Sequence, residues 1–234
     1  MIYITMDSTN DDDEWFSTHS MLPFKSCSSI CLNGITGSGK TYFIKRFLQE
    51  IYGMYDDTPP VEILFCYNVF QDVYEVIEHE ITNLKLNEGL PTSEQLDLFI
   101  SDKRHRLIIL DDMQDAIRNN SFVEQLFTVG CHHKHLSIMY VTQNLFQRGT
   151  KSRTIALNSY YQILFPSNRD MGQITTLGRQ LFGSKINVLL QAYTDVLNNN
   201  HGYLVIDNSP GSTSKYRVRT RIFPGEDPIV YIIQ

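Results

Sequence analysis

The sequence predicts an α/β chain, a mostly parallel central sheet with helices on its faces. Three observations carry that prediction. Short apolar runs alternate with amphipathic stretches over most of the 234 residues, as in strand–helix–strand units joined by right-handed crossovers. A glycine-rich loop stands between one apolar run and the helix that follows it. The composition is that of a core-forming chain, 42% hydrophobic and 20% charged with ordinary Gly (13) and Pro (8), which excludes collagen-like and low-complexity classes. The length suits one large domain better than two small ones.

Residues 1–21 are expected to be an acidic flexible tail, since DSTNDDDE at 7–14 offers no apolar face; Trp15 and Phe16 would serve as a simple anchor. The folded domain is expected over 22–234. Its strands are predicted at Ser29–Leu32, Val61–Tyr67, Leu107–Leu110, Ser137–Val141 and Tyr160–Phe165, each short and apolar as where both sheet faces are covered. Helical patterns fall at Thr41–Tyr52, Asp72–His79, Glu94–Ile100, Phe122–Val129 and Gln173–Leu181. Thr92-Ser-Glu-Gln95 and Ser121-Phe-Val-Glu124 have capping-box spacing. Phe182–Asn200 is predicted to be an apolar helix, and Gly202–Ile206, Tyr216–Ile222 and Ile229–Ile233 to be strands extending an edge.

The strongest chemical signal is Gly34-Ile-Thr36-Gly37-Ser38-Gly39-Lys40-Thr41, a full G-x-x-x-x-G-K-[ST] match. Glycines let the backbone fold around phosphates, and successive N–H groups converge at a helix start whose dipole favours anions. In that arrangement Lys40 reaches the β- and γ-phosphates and the Thr41 hydroxyl ligates Mg²⁺, so ATP and Mg²⁺ are the expected cofactors. A second signal is Leu107-Ile-Ile-Leu110-Asp111-Asp112. A buried strand ending in a carboxylate delivers it to the edge where the phosphate loop lies, placing Asp111 to hold Mg²⁺ directly or through water. Asp112 is a candidate for polarising the attacking water, against the alternative of an ordinary helix-start Asp. A third signal, weaker alone, is Ser137-Ile-Met-Tyr-Val-Thr142-Gln143, where Gln143 would sense the γ-phosphate or position water.

No run of about 18 apolar residues is present, so no membrane span is expected. The start lacks the basic and apolar pattern of a signal peptide. The four cysteines, Cys27, Cys31, Cys66 and Cys131, read as reduced thiols, consistent with an intracellular protein. Cys131-His132-His133-Lys134-His135 lacks zinc-ligand spacing and reads as a surface loop. The net charge of −6 argues against a general nucleic-acid coat but allows DNA contact on one face. Two groups qualify: Lys215, Arg217, Arg219 and Arg221, which alternate along a predicted strand, and Lys134, Arg148, Lys151 and Arg153 around the sensor strand. The alternative for the first group is the solvent face of an edge strand.

Taken together, the three strand ends resemble those of viral DNA-packaging ATPases of the FtsK–HerA superfamily, similar to the poxvirus type and nearest to those of Maverick/Polinton elements and adintoviruses. The resemblance runs from about Leu22 to the C-terminus. It is carried by Leu22-Pro-Phe24, Ile63-Leu-Phe-Cys-Tyr67, Glu88-Gly-Leu-Pro91, Leu110-Asp-Asp112, Val141-Thr-Gln-Asn-Leu-Phe146, Arg153-Thr-Ile-Ala-Leu-Asn158, Tyr161-Gln-Ile-Leu-Phe165 with Arg169-Asp170, and Arg217-Val-Arg-Thr-Arg-Ile-Phe-Pro-Gly-Glu226. It implies a RecA/FtsK-like P-loop NTPase that forms a homo-oligomeric ring and drives double-stranded DNA into a preformed capsid, meeting a capsid or portal-vertex protein. It places the chain inside the host cell, in nucleus or cytoplasm, or on the virion. It also implies Asp111 and Asp112 at the metal and water site, Gln143 as sensor, and Arg153 as a finger on the neighbouring subunit's nucleotide, with Arg148 and Arg169 as fallbacks. Two other readings share parts of this pattern. One is a helicase or conjugation-type DNA pump, for which 234 residues leave little room. The other is a nucleotide-gated assembly protein without turnover.

Overall fold

A computed structural model of the protein describes residues 3–4, 24–118, 120, 123, 126–127, 131, 135–145, 155, 158–199 and 201–233. They build one ten-stranded sheet: β1 Tyr3–Ile4, β2 Ser29–Asn33, β3 Glu62–Tyr67, β4 Leu84–Glu88, β5 Arg106–Asp111, β6 Leu136–Thr142, β7 Tyr161–Leu164, β8 Leu204–Asp207, β9 Val218–Thr220 and β10 Ile229–Tyr231. The spatial order is β1-β10-β9-β8-β7-β2-β6-β5-β3-β4. The six strands from β7 to β4 are parallel, whereas β8, β9, β10 and β1 add on antiparallel. The α/β expectation holds, and the C-terminal strands do extend one edge.

Parallel strands with helices on both faces must be apolar on both faces, and the core shows it residue by residue. In β5, Leu107 and Ile109 join one buried cluster while Ile108 and Leu110 join the other; β6 divides Met139 and Val141 from Ile138 and Tyr140 in the same way. The helices are α1 Lys40–Gln49, α2 Asp72–Glu80, α3 Ser93–Phe99, α4 Gln114–Arg118, α5 Met171–Phe182 and α6 Ile186–Leu197. In α1, Phe43, Ile44, Phe47 and Leu48 form the buried stripe, and Phe43 meets Phe165, Tyr203 and Phe223 at 5.0–5.7 Å between ring centres. The capping box at Thr92 is formed in both directions, Gln95 N to Thr92 Oγ1 and Thr92 N to Gln95 Oε1.

Three expectations need correction. The strand β4 falls outside the expected set: LKLNE is an edge strand, and with one neighbour its apolar residues alternate with Lys85 and Asn87, which reads as loop. The single helix over Phe182–Asn200 is instead a break followed by α6, because Gly183 takes a left-handed φ of 55° and ends α5. Cys131 is buried in the core and not in a surface loop; residues 132–134 lie outside the described residues, as do the tail over 5–21 with Trp15 and Phe16, the Ser121–Glu124 box and most of the helix expected at Phe122–Val129.

Candidate nucleotide site

Because β2, β5 and β6 are parallel, their C-terminal ends share one edge, and the chemically active side chains collect there. The loop leaves β2 in register with β6: Asn33 pairs with Thr142, and Gly34 N donates to Thr142 O at 3.2 Å. A Cβ on Gly34 would lie 2.6 Å from both Phe165 Cβ and Ser38 Oγ, so only glycine lets the loop turn against β7. Gly37 and Gly39 take left-handed φ values of 77° and 101°, conformations that glycine adopts without a Cβ penalty.

Gly39 is also the N-cap of α1, and no side chain caps that helix. The first-turn N–H groups, the ordinary orphans of a helix start, are thus left to an external anion. The Lys40 ammonium donates to Gly34 O at 2.6 Å and Ile35 O at 2.8 Å, which holds its charge within the loop. Burial lowers the Lys40 pKa, and the charges of Asp111 and Asp112 act against that. Ser38 Oγ is buried with no hydrogen-bond partner among the described residues. A pocket with an unpaired hydroxyl, a held ammonium and uncapped N–H groups has the donor set of a polyphosphate cradle.

Asp111 ends β5 and is 6% exposed. Burial raises its pKa; the Tyr74 hydroxyl, donating to Oδ2 at 2.9 Å, and the Lys40 charge lower it. It is not immediately beside the loop strand, since β6 runs between β2 and β5. That insertion places the end of β6 between loop and carboxylate. Gln143, just past that end and exposed, lines a small cleft with Asn33, Gly34, Asp170 and Gln173. Asp112 is half-buried and left-handed, φ 53°, a conformation Asp tolerates better than most residues.

The residues fit a Mg²⁺ ion. This cation takes one or two protein oxygens and completes its shell with phosphate and water, and Asp111 with the Thr41 hydroxyl supplies that kind of set. Thr41 stands in the first turn of α1, partly buried; Thr36 and Gly37 are exposed at the loop's tip. Sequence reasoning missed Tyr74, a fully buried residue of α2 packed on Phe65 at 4.8 Å and Tyr67 at 5.4 Å. A signal of that kind exists in the sequence: a tyrosine on a buried helix face, three residues from Ile77, needs a partner for its hydroxyl.

The structure breaks up one of the two candidate cation groups, the one at 215–221, of which Arg221 alone is exposed. The strand around Arg219 spans only Val218–Thr220. Arg219 is 3% exposed and paired with Asp207 of β8 at 3.1 Å. Arg217 donates to Asp207 O and lies over the Phe182 ring, while Lys215 sits on a separate 3₁₀ turn. Alternation in sequence therefore does not become a row of free cations. Arg169 is exposed beside Asp170; Lys134, Arg148, Lys151 and Arg153 lie outside the described residues. No helix among the described residues is long and apolar enough to cross a membrane.

No family model and no curated protein matches the sequence. Among solved structures, the fold is similar to that of B204, the DNA-packaging ATPase from Sulfolobus Turreted Icosahedral Virus, with TM-score 0.56 and 10% identity over 79% of this chain and 94% of that one. It is also similar to the genome packaging NTPase B204 from Sulfolobus turreted icosahedral virus 2 in complex with AMP, with TM-score 0.50 and 12% identity over 77% and 92%. At these identities the likeness establishes the fold, that of a P-loop ATPase sheet with helices on both faces.

Proposed function

We propose that the protein is an ATP-hydrolysing motor that moves double-stranded DNA into a viral capsid. The observation that carries this reading is that the charges of Lys40, at the start of α1, and the buried Asp111, at the end of β5, act on each other at one sheet edge, with Gln143 just past the end of the intervening β6. A phosphate binder alone needs only the loop; a hydrolase also needs a held carboxylate and a polar group between it and the phosphates. The similar folds of a DNA-packaging ATPase and a genome packaging NTPase support the packaging role.

In this reading the loop N–H groups and Lys40 hold the β- and γ-phosphates; Thr41 and Asp111 would hold Mg²⁺, which would supply neutralisation of phosphate charge. Gln143 and Asp112 orient a water in line with the γ-phosphorus. As its oxygen bonds to phosphorus, its proton passes to the Asp112 carboxylate, the bond to the bridging oxygen breaks and ADP leaves with that electron pair. A neighbouring subunit's Arg153 offsets the charge that develops, with Arg148 and Arg169 as the other candidates; such fingers contribute about 10³–10⁵ in rate. DNA is gripped by backbone phosphates, without base readout. With Arg217 and Arg219 committed to the Asp207 region and Arg153 given to the neighbouring nucleotide, that grip is assigned to Lys134, Arg148 and Lys151, and a capsid or portal-vertex protein is the docking partner.

Mixed rings test the arrangement. Lys40→Ala and Arg153→Ala proteins are each expected to be inactive alone and to regain hydrolysis when mixed, because one supplies the finger and the other the intact loop. No recovery over a range of mixing ratios contradicts a finger acting between subunits.

A further inference from the structure

A cavity of about 590 Å³ opens on the far side of α1 from the carboxylates. Its walls are the first turns of α1 on one side and the β8–β10 extension with the end of α6 on the other, and Gly39 of the phosphate loop is part of its lining. Lys40, Asp111 and Asp112 mark where the terminal phosphate belongs. The sheet order puts β5 and β6 on one side of β2 and β7–β10 on the other, so a phosphate chain running from the carboxylates across the helix start points its far end into this cavity. The volume lies within the range of small-molecule sites.

At its mouth, Tyr42 and His201 stand nearly parallel, with ring centres 6.2 Å apart and planes at 29°. Two ring contacts of about 3.5 Å each need about 7 Å, so a slight opening admits a planar base between them. Tyr42 is 64% exposed, a large ring left in solvent one residue after the Thr41 ligand. His201 is held in place: its Nδ1 would meet a Cβ on Gly39 at 3.1 Å, and its φ is left-handed at 55°. The turn that carries it is tied to α6 by Asn199 N to Val196 O and Gly202 N to Asn199 O, at 3.1 and 3.0 Å. A Cβ on Gly202 would lie 2.2 Å from Val196 O, so glycine is required there. Behind the rings the wall is mixed: Phe43, Val196 and Tyr203 supply apolar surface, and Asp195, Asn199, Arg221 and the Arg46–Glu226 ion pair supply polar and charged surface.

We propose that this cavity receives the nucleoside of a purine nucleoside triphosphate, its base stacked against Tyr42 and His201. The inference rests on the reading of Gly34–Thr41 as the phosphate site and adds what selects the ligand beyond its phosphates. A purine offers two fused rings to the aromatic pair where a pyrimidine offers one, so ATP binds more tightly than CTP.

The test compares Mg-ATP, Mg-CTP and Mg-tripolyphosphate, the last a base-free probe, by calorimetry on the full chain. Wild type is expected to prefer ATP over both other ligands. Tyr42→Ala and His201→Ala, both at exposed positions that leave the core intact, are expected to weaken ATP about tenfold and erase the preference over CTP. Their tripolyphosphate affinity stays within about twofold of wild type, and unchanged melting curves verify the fold. If both variants keep the wild-type ratio of ATP to tripolyphosphate affinity, the base site is wrong. Lys40→Ala separates the two readings: it is expected to lose both ligands, and if it binds both as wild type does, the phosphate site fails and this proposal with it.

Discussion

The Tyr74 hydroxyl donates to Asp111 Oδ2 at 2.9 Å, from a helix on one side of the sheet to the end of a strand two places in from its edge. The bond fixes the carboxylate's rotamer and favours its charged form where burial disfavours it. Tyr74→Phe keeps the ring packed on Phe65 and Tyr67 and removes only the donor. Hydrogen bonds to charged groups contribute about 1.5–3 kcal/mol, so the variant is expected to lose stability of that order and, with the carboxylate no longer held, to need several-fold more Mg²⁺ for half-maximal hydrolysis. An unchanged Mg²⁺ dependence would show that Asp111 needs no such support.

Gly34 has no room for a methyl group, because a Cβ there would sit 2.6 Å from both Phe165 Cβ and Ser38 Oγ. Gly34→Ala is expected to cost about 1–3 kcal/mol of stability through overpacking and to lose nucleotide binding, because the loop must move off β7. Gly172→Ala, where nothing lies within 4 Å, is the control that should melt like wild type. Equal melting points for the two variants count against the packing argument.

Arg219 and Asp207 form a buried pair across β8 and β9. Removing one partner leaves a charge without compensation, at a cost on the order of 3–5 kcal/mol. Arg219→Ala is therefore expected to lower the urea midpoint markedly. If its stability is unaltered and DNA-stimulated hydrolysis falls instead, the arginine belongs to a DNA face after all.

His105 lies 4% exposed under the sheet, its ring nitrogens facing Thr58 O and Ser137 Oγ. Burial pulls its pKa below the usual 6.5. Below pH 6.5 the unfolded chain then binds a proton that the folded chain does not, so stability rises with pH in that window and falls as the solution is acidified. The slope reaches about 1.4 kcal/mol per pH unit for one proton. Urea midpoints at pH 7.5, 6.5 and 5.5 are expected to drop more steeply for wild type than for His105→Asn; parallel profiles would assign the acid loss to other groups.

The strand-end positions of the Gly34–Thr41 loop, Asp111 and Gln143 are legible in sequence because each is a local string: an apolar run covered on both faces and then a polar end. What is not legible depends on partners distant in the chain. Tyr74 meets Asp111 across 37 residues, and His201 comes to Tyr42 only through the turn that follows α6, far along the chain from α1. The cations at 215–221 do not share one strand face for the same reason, since Asp207 neutralises Arg219 from the adjacent strand. The edge strand β4 escapes because half of it faces water.

The most direct test of the motor is steady-state ATP hydrolysis against protein concentration, with and without linear double-stranded DNA and with Lys40→Ala as blank. A ring with an arginine acting between subunits predicts activity that climbs faster than linearly with concentration and is stimulated by DNA. Hydrolysis proportional to concentration and indifferent to DNA would contradict it.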